Sequence, residues 1–344
     1  MSDGFAAAPP QPTGPPQPVG PPVAWEFRPG IIALRPLQLG DLYGGVIKAV
    51  RGNVAATIGL AFVTTLVFVL PLTLFGSWLA SLEDFSTFDE TDGGTGGLLA
   101  LLGSNLPTIA GLFAPILLTG FIGYVIGQAV LGRKVTAAET WDGTKGRLLA
   151  VFGATVLTIL GVTMIIGVVV ALPITAMVVT GSDSGILWGL TIFVVFVAAV
   201  ALTALFVTRL AFVTSAIVLE RVGVLDGIRR SWQLSARSFW RIFGIRLLTS
   251  IIIGTAGTIL TTPIQLALTF GPIALGEEER MFMWIAVSNG ITTLITLALT
   301  TPFSAGVDAL LYIDRRIRRE GLDVQLIQTT QQGVPAPWTS ATPG

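Results

Sequence analysis

Cysteine and histidine are both missing from this chain. Without cysteine there is no disulfide, no thiolate nucleophile and no thiolate-held metal. Without histidine the commonest general base and the commonest metal ligand are gone. Serine triads, histidine-ligated zinc hydrolases and histidine-ligated haem are excluded, and any acid–base chemistry rests on Asp and Glu. Charge is scarce too: 12% of residues are Asp, Glu, Lys or Arg, against about 25% in a soluble domain. Basic and acidic residues balance to a net charge of zero, so no global field draws the chain to nucleic acid and no such partner is expected. No GxxxxGK[ST] pattern occurs, which removes an ATP motor. No cofactor and no metal site are expected. The chain reads as a non-enzyme; an intramembrane enzyme working with carboxylates alone is a distant third class.

In place of polarity the chain has apolar length. Hydrophobic residues make up 52% of it, concentrated in six stretches at 54–82, 98–131, 148–180, 186–219, 247–275 and 281–313. About 20 residues suffice to cross the hydrocarbon core, so these longer runs imply tilt, extension beyond the interface or internal breaks. Pro71, Pro107, Pro115, Pro173, Pro263, Pro272 and Pro302 lie inside them and are expected to kink helices whose neighbours re-satisfy the freed carbonyls. The second stretch contains Ser104-Asn105-Leu106-Pro107 and admits a reading as two short helices.

The gaps set the orientation. Gap 83–97 carries acids only, gap 181–185 has Asp183, and gap 276–280 has Glu277, Glu278 and Glu279 with Arg280. Apart from Arg209, every other Lys and Arg falls in the alternate gaps and the flanking segments. By the positive-inside rule those faces are cytoplasmic, as are both termini, in a bacterial plasma membrane. Two full crossings within the second stretch would put Arg133, Lys134, Lys145 and Arg147 outside, so six crossings are expected. The expected organisation is a disordered Pro/Gly-rich tail at 1–24, a six-span membrane domain at 25–327 and a disordered tail at 328–344. The first tail has polyproline II character. No secretory signal is expected, since the first apolar run starts only near Val54.

An acid stands near the start of the cytoplasmic segment before each pair of spans: Asp41, Glu139 and Asp226. The fold class that follows is an all-α polytopic membrane protein, six transmembrane helices as three hairpins, each preceded by a cytoplasmic amphipathic segment. In the third segment Leu225, Ile228, Trp232, Ala236, Phe239 and Phe243 fall on one helical stripe, with Arg230, Arg237 and Arg241 opposite. That pattern suits a helix in the headgroup plane, with Trp232 and Phe239 at the acyl boundary and the three arginines toward anionic lipid. The first segment resembles it, with Leu39, Leu42, Val46 and Val50 opposite Lys48. The plainer alternative for both is a linker helix packed on the spans.

Within the spans, Arg209 is the charge that calls for explanation: it is either a functional group or a side chain snorkelling to the headgroups. Asp308 lies at similar expected depth, which predicts an Arg209–Asp308 pair. Asn105, Gln128, Gln265 and Asn289 are expected to make interhelical hydrogen bonds. Gly123-x-x-x-Gly127 offers a close helix approach.

Three stretches, RPGIIALRPLQLGDLYGGVIKAVRGN at 28–53, RRSWQLSARSFWRIFGI at 229–245 and LLYIDRRIRREGLD at 310–323, resemble an actinobacterial family named for the membrane domain of glycerophosphoryl diester phosphodiesterase. The resemblance covers roughly residues 28–327 and is strongest at Tyr312, Asp314, Arg316, Glu320, Gly321 and Asp323. Ile313 departs from it, standing where a second aromatic is common. The resemblance implies a multi-span helical domain linked to lipid or envelope metabolism. The family name's phosphodiesterase activity belongs to a soluble barrel with histidines and a carboxylate-held metal, and this chain has neither that barrel nor a histidine. Two functional classes follow: a scaffold or accessory subunit contacting anionic membrane lipids, with protein partners unspecified, or a transporter or lipid-translocating protein with a polar path near Arg209 and Asp308.

Overall fold

The computed structural model describes residues 28–83, 97–180 and 185–332, and among these there are helices and no strands. The expected tail at 1–24 and most of the acidic gap at 83–97 lie outside the described residues. Among the described residues, six helical runs are long and apolar enough to cross a membrane: Ala55–Ala80, Leu98–Val130, Ala137–Pro173, Trp188–Leu219, Phe239–Ala274 and Met281–Glu320. So much outward apolar surface is stable only when hydrocarbon surrounds it, and the chain is a membrane protein.

The elements are α1 (Leu39–Gly52), α2 (Leu60–Ala80) after a π-helical turn, α3 (Leu98–Ala110), α4 (Ala114–Val130), α5 (Ala137–Thr144) and α6 (Leu148–Thr180). They continue as α7 (Gly185–Arg209), α8 (Val213–Leu219), α9 (Val224–Ser235), α10 (Phe239–Ala274), α11 (Met281–Glu320) and α12 (Leu322–Gln332). α10 begins eight residues before the expected 247, and α11 ends seven after the expected 313. The charged residues there continue the helices past the hydrocarbon rather than ending them. Gly321, in the left-handed conformation at φ 62°, closes α11, where a side chain would be strained. α12 carries helix through Gln332, so residues 328–332 of the expected 328–344 tail are helical, and the rest of it lies outside the described residues.

α11 is the centre of the bundle. It packs along α2, α3, α4 and α10, with α1 against its last turns. α2 and α3 touch backbone to backbone: a Cβ on Gly76 would stand 2.4 Å from the Gly103 carbonyl oxygen, and one on Gly103 2.5 Å from that of Gly76. That contact is the close approach small residues permit in lipid. It is not at the expected Gly123-x-x-x-Gly127, since a Cβ at Gly123 would meet no neighbouring atom. α6 and α7 pack chiefly on each other, and the most apolar windows of their two runs have no residue buried inside the protein.

The second and fourth runs are interrupted between their helices. The second breaks at 111–113, between α3 and α4, and Pro115 begins α4, where its missing N–H is harmless. The fourth breaks at 210–212. There the Ser231 hydroxyl of α9 donates to the Arg209 carbonyl at 2.7 Å and accepts the Phe212 N–H at 3.1 Å. One hydroxyl thus satisfies two backbone groups that the break frees.

Asp41, Glu139 and Asp226 each occupy the third position of a short helix, α1, α5 and α9. Asp41 accepts the Gln38 N–H at 3.0 Å and Glu139 the Thr136 N–H at 2.7 Å, closing two capping boxes. The acids are start signals that complement the helix dipole. The two amphipathic segments diverge from there. In α1, Leu42, Val46 and Val50 are buried against the spans. In α9 the buried face is Gly227, Ser231, Leu234 and Ser235, while Leu225 and Trp232 are 67% and 45% exposed. The stripe expected to run unbroken from Leu225 to Phe243 is cut at 236–238, where the chain turns from α9 into α10.

Candidate functional site

The end of the bundle where α10 begins and α11 finishes is built around two carboxylate clusters. Asp314 is fully buried. It accepts the Leu37 N–H at 2.8 Å, Arg241 at 2.7 Å and Arg318 at 2.9 Å. The same two guanidinium groups donate to the Leu37 carbonyl at 2.7 and 2.9 Å. One aspartate and two arginines therefore hold both polar groups of the Leu37 residue, clamping segment 28–38 onto α10 and α11. The second cluster centres on Glu220, at the end of α8. Arg230 donates to it twice at 3.0 Å, Arg316 lies 3.3 Å away, and the Tyr312 hydroxyl donates to it. Arg230 and Arg316 also bond Glu320, at 2.6 and 3.0 Å. Burial works against the Arg230 charge, but hydrogen bonds and charges from Glu320 and Glu220 more than offset it and hold the guanidinium above the ordinary arginine range.

These clusters reassign two residues expected to meet lipid. Arg230 and Arg241 are engaged by carboxylates within the protein. Arg237 is exposed and belongs to neither cluster, and Arg229 is also exposed, with Asp226 at 3.8 Å. Trp232 faces outward. Phe239 is half-buried, stacked on Phe243 at 5.8 Å and edge-on to Trp240 at 5.4 Å, and Trp240 is 78% exposed.

The expected Arg209–Asp308 pair is replaced by another. Asp308 pairs with Arg246 of α10, Nε to carboxylate at 3.1 Å. Arg209 instead lays its guanidinium over the Trp232 ring at 5.1 Å, and its Nε is buried with no hydrogen-bond partner. The two residues share a depth but not a direction around the bundle. Arg246, counted in the sequence among the basic-gap residues, lies far enough along α10 to reach Asp308. It also donates to the Val207 carbonyl at 2.9 Å.

Arg246 and Asp308 line a cavity of about 210 Å³ beside both helix interruptions, with Thr119, Thr155, Thr158 and Thr214 among its walls. Of the other polar residues in the spans, Asn289 donates across to the Ser104 carbonyl at 2.9 Å, as expected of an interhelical bond. Asn105 bonds back to Leu101 of its own helix at 2.8 Å, and Gln265 is exposed. Among the described residues no three Asp or Glu side chains come together as a cation site.

Glu220, Arg246 and Leu37 were not singled out by sequence reasoning. The spacing Asp314–Arg318 and Arg316–Glu320 was a legible signal for part of the network, being i,i+4 on one helix.

Residues 98–310 match a family described as a domain of unknown function, DUF7847. No curated protein and no solved structure matches the chain.

Proposed function

This chain belongs to the DUF7847 family, and we propose that it is a non-enzymatic plasma-membrane protein, a scaffold or accessory subunit contacting anionic lipids. Its six spans form three hairpins, α2 with α3–α4, α6 with α7–α8 and α10 with α11. Each follows a short amphipathic helix on the cytoplasmic side, where the positive-inside rule sets the basic end and both termini. The likeness to the glycerophosphoryl diester phosphodiesterase membrane domain points the role toward lipid or envelope metabolism.

The observation that carries this reading is the direction of α9. Gly227, Ser231 and Ser235 face the protein together with Leu234, and Leu225 and Trp232 face out. A large Leu and Trp exposed beside Arg229 are the arrangement of an interfacial helix at the acyl boundary. The exposed Trp240 beside it suits the aromatic belt, and Arg229 and Arg237 remain free of the carboxylate clusters to meet phosphates. Each basic group near an anionic leaflet contributes about 1 kcal/mol. An Arg229→Gln, Arg237→Gln variant is therefore expected to retain phosphatidylglycerol about ten- to thirtyfold less tightly, read by native mass spectrometry from mild detergent, with thermal stability unchanged. Equal retention by both proteins rejects the reading. Replacing Arg230 or Arg241 is unsuitable for this test, because their loss leaves Glu220 or Asp314 short of a partner.

A second reading, a transporter or lipid-translocating protein, is favoured by the Arg246–Asp308 cavity beside two interrupted helices, the setting in which transporters hold substrates. Faster scrambling of a fluorescent phospholipid in protein-containing vesicles, lost on Asp308→Asn, is its expected signature.

A further inference from the structure

The polar cavity does not end in the protein. Val207, whose carbonyl bonds Arg246, also lines an apolar groove of about 840 Å³ between α6 and α7. On α7 the groove wall is a single helical stripe, Trp188, Ile192, Val195, Ala199, Val200 and Ala204 among it, leading down to Val207. On α6 the cavity residues Thr155 and Thr158 precede the groove residues Ile166 and Val169 by three helical turns each, so all four share one face. Cavity and groove adjoin at Val207, the first lined by charged and hydroxyl groups and the second by hydrocarbon.

The groove volume falls within the roughly 300–1,000 Å³ of small-molecule sites. From Val207 to Trp188 it runs about 28 Å at 1.5 Å per residue. An acyl chain in one leaflet spans about half of a 30 Å core, so one chain laid lengthwise fills the half of the groove nearer Val207. At the polar end the Arg246 charge is balanced by Asp308, leaving a neutral site with its two charges 3.1 Å apart. Thr119, Thr155 and Thr158 donate their hydroxyl hydrogens to their own helices, at 3.1, 3.0 and 2.8 Å. Their lone pairs are left to accept. Beyond their own pairing, Arg246 keeps N–H donors for an anionic group, and Asp308 and the threonines keep lone pairs for N–H donors.

We propose that cavity and groove together bind one phospholipid with a zwitterionic, primary-ammonium headgroup: phosphate at Arg246, ammonium at Asp308, one acyl chain along α6 and α7. This site goes beyond the interfacial contact proposed above and shares none of its residues. Asp308 lies six residues before Asp314, about 9 Å deeper along α11, so the headgroup is drawn below the level of its neighbours. Charge complementarity selects this occupant over a partner helix, which would leave the ion pair and three hydroxyl oxygens facing an apolar surface.

The test is native mass spectrometry of protein taken from vesicles of phosphatidylethanolamine, phosphatidylglycerol and phosphatidylcholine in equal parts. The full chain is expected to keep one phosphatidylethanolamine at activation energies that strip other lipids, with each of the other two held at least tenfold less. Ala199→Trp with Ala204→Trp fills the groove on a lipid-facing surface and is expected to abolish that adduct. Asp308→Asn makes the site cationic and is expected to shift its preference to phosphatidylglycerol. Absence of a retained lipid, equal retention of all three, or an adduct that survives groove filling overturns the proposal. The Arg229→Gln, Arg237→Gln variant is expected to keep the adduct, so failure of the interfacial reading is separately visible.

Discussion

Asp314 shows how much one residue can organise. Fully buried, it binds Leu37 and two arginines from different helices. Its removal leaves Arg241 and Arg318 close together with no carboxylate between them. Breaking a buried pair from one side costs about 3–5 kcal/mol, so Asp314→Ala is expected to destabilise the protein by that order and to release segment 28–38. Thermal unfolding in detergent, with chymotrypsin cleavage after the buried Leu37, measures both. Arg237→Gln, exposed and outside the clusters, is expected to change stability by less than about 0.5 kcal/mol. The local half of this network is legible in the chain, since Asp314–Arg318 and Arg316–Glu320 are one helical turn apart. The other half is not. Arg241 meets Asp314 across 73 residues and Arg230 meets Glu320 across 90, and from periodicity alone both are simply the polar side of an amphipathic helix. The Arg209–Asp308 expectation failed for a related reason. Hydropathy reports depth in the membrane but not azimuth around a helix, and azimuth gave Asp308 to Arg246.

At the scale of elements, α1 and α9 share a pattern and differ in what it meets. Each has an acid at its third position and an apolar stripe, yet α1 turns the stripe into the core and α9 turns it away. The difference lies in the opposite face. α9 carries Gly227, Ser231 and Ser235, small enough to lie against α8 and, through Ser231, able to bond the backbone at the α7–α8 break. On α1 the face away from the stripe carries Lys48 and Arg51, which stay exposed. Contact between α2 and α3 depends on smallness in the same way. Gly103→Ala would place a methyl 2.5 Å from the Gly76 oxygen and 2.6 Å from the Ala80 nitrogen. Backbone cannot yield as a side-chain tip can, so the helices must part, at an expected cost of about 1–3 kcal/mol. A lowered melting temperature with the helical circular dichroism retained at low temperature is the expected observation.

Across the whole molecule, one pair of helices stands apart. α6 and α7 are largely unburied, while α11 is surrounded, so the bundle has a dense side and a hairpin that meets lipid on most of its surface. The proposed orientation is open to a clean measurement, because the natural chain has no cysteine to interfere. On intact cells a membrane-impermeant maleimide is expected to label Glu279→Cys and to leave Ala138→Cys and Gln233→Cys unlabelled. Labelling at 138 or 233 would invert or break the six-crossing arrangement.

The number of apolar runs, their approximate limits and the segregation of basic from acidic gaps came from the sequence unaided. Each is a sum over many residues along the chain, and transfer into hydrocarbon depends on composition before it depends on neighbours. Partners were decided only by tertiary structure: which arginine faces Asp308, which stripe turns outward, where two helices break, and that a charged cavity adjoins an apolar groove. Those outcomes depend on rotation and contact between segments far apart in the chain, for which a linear pattern holds no coordinate.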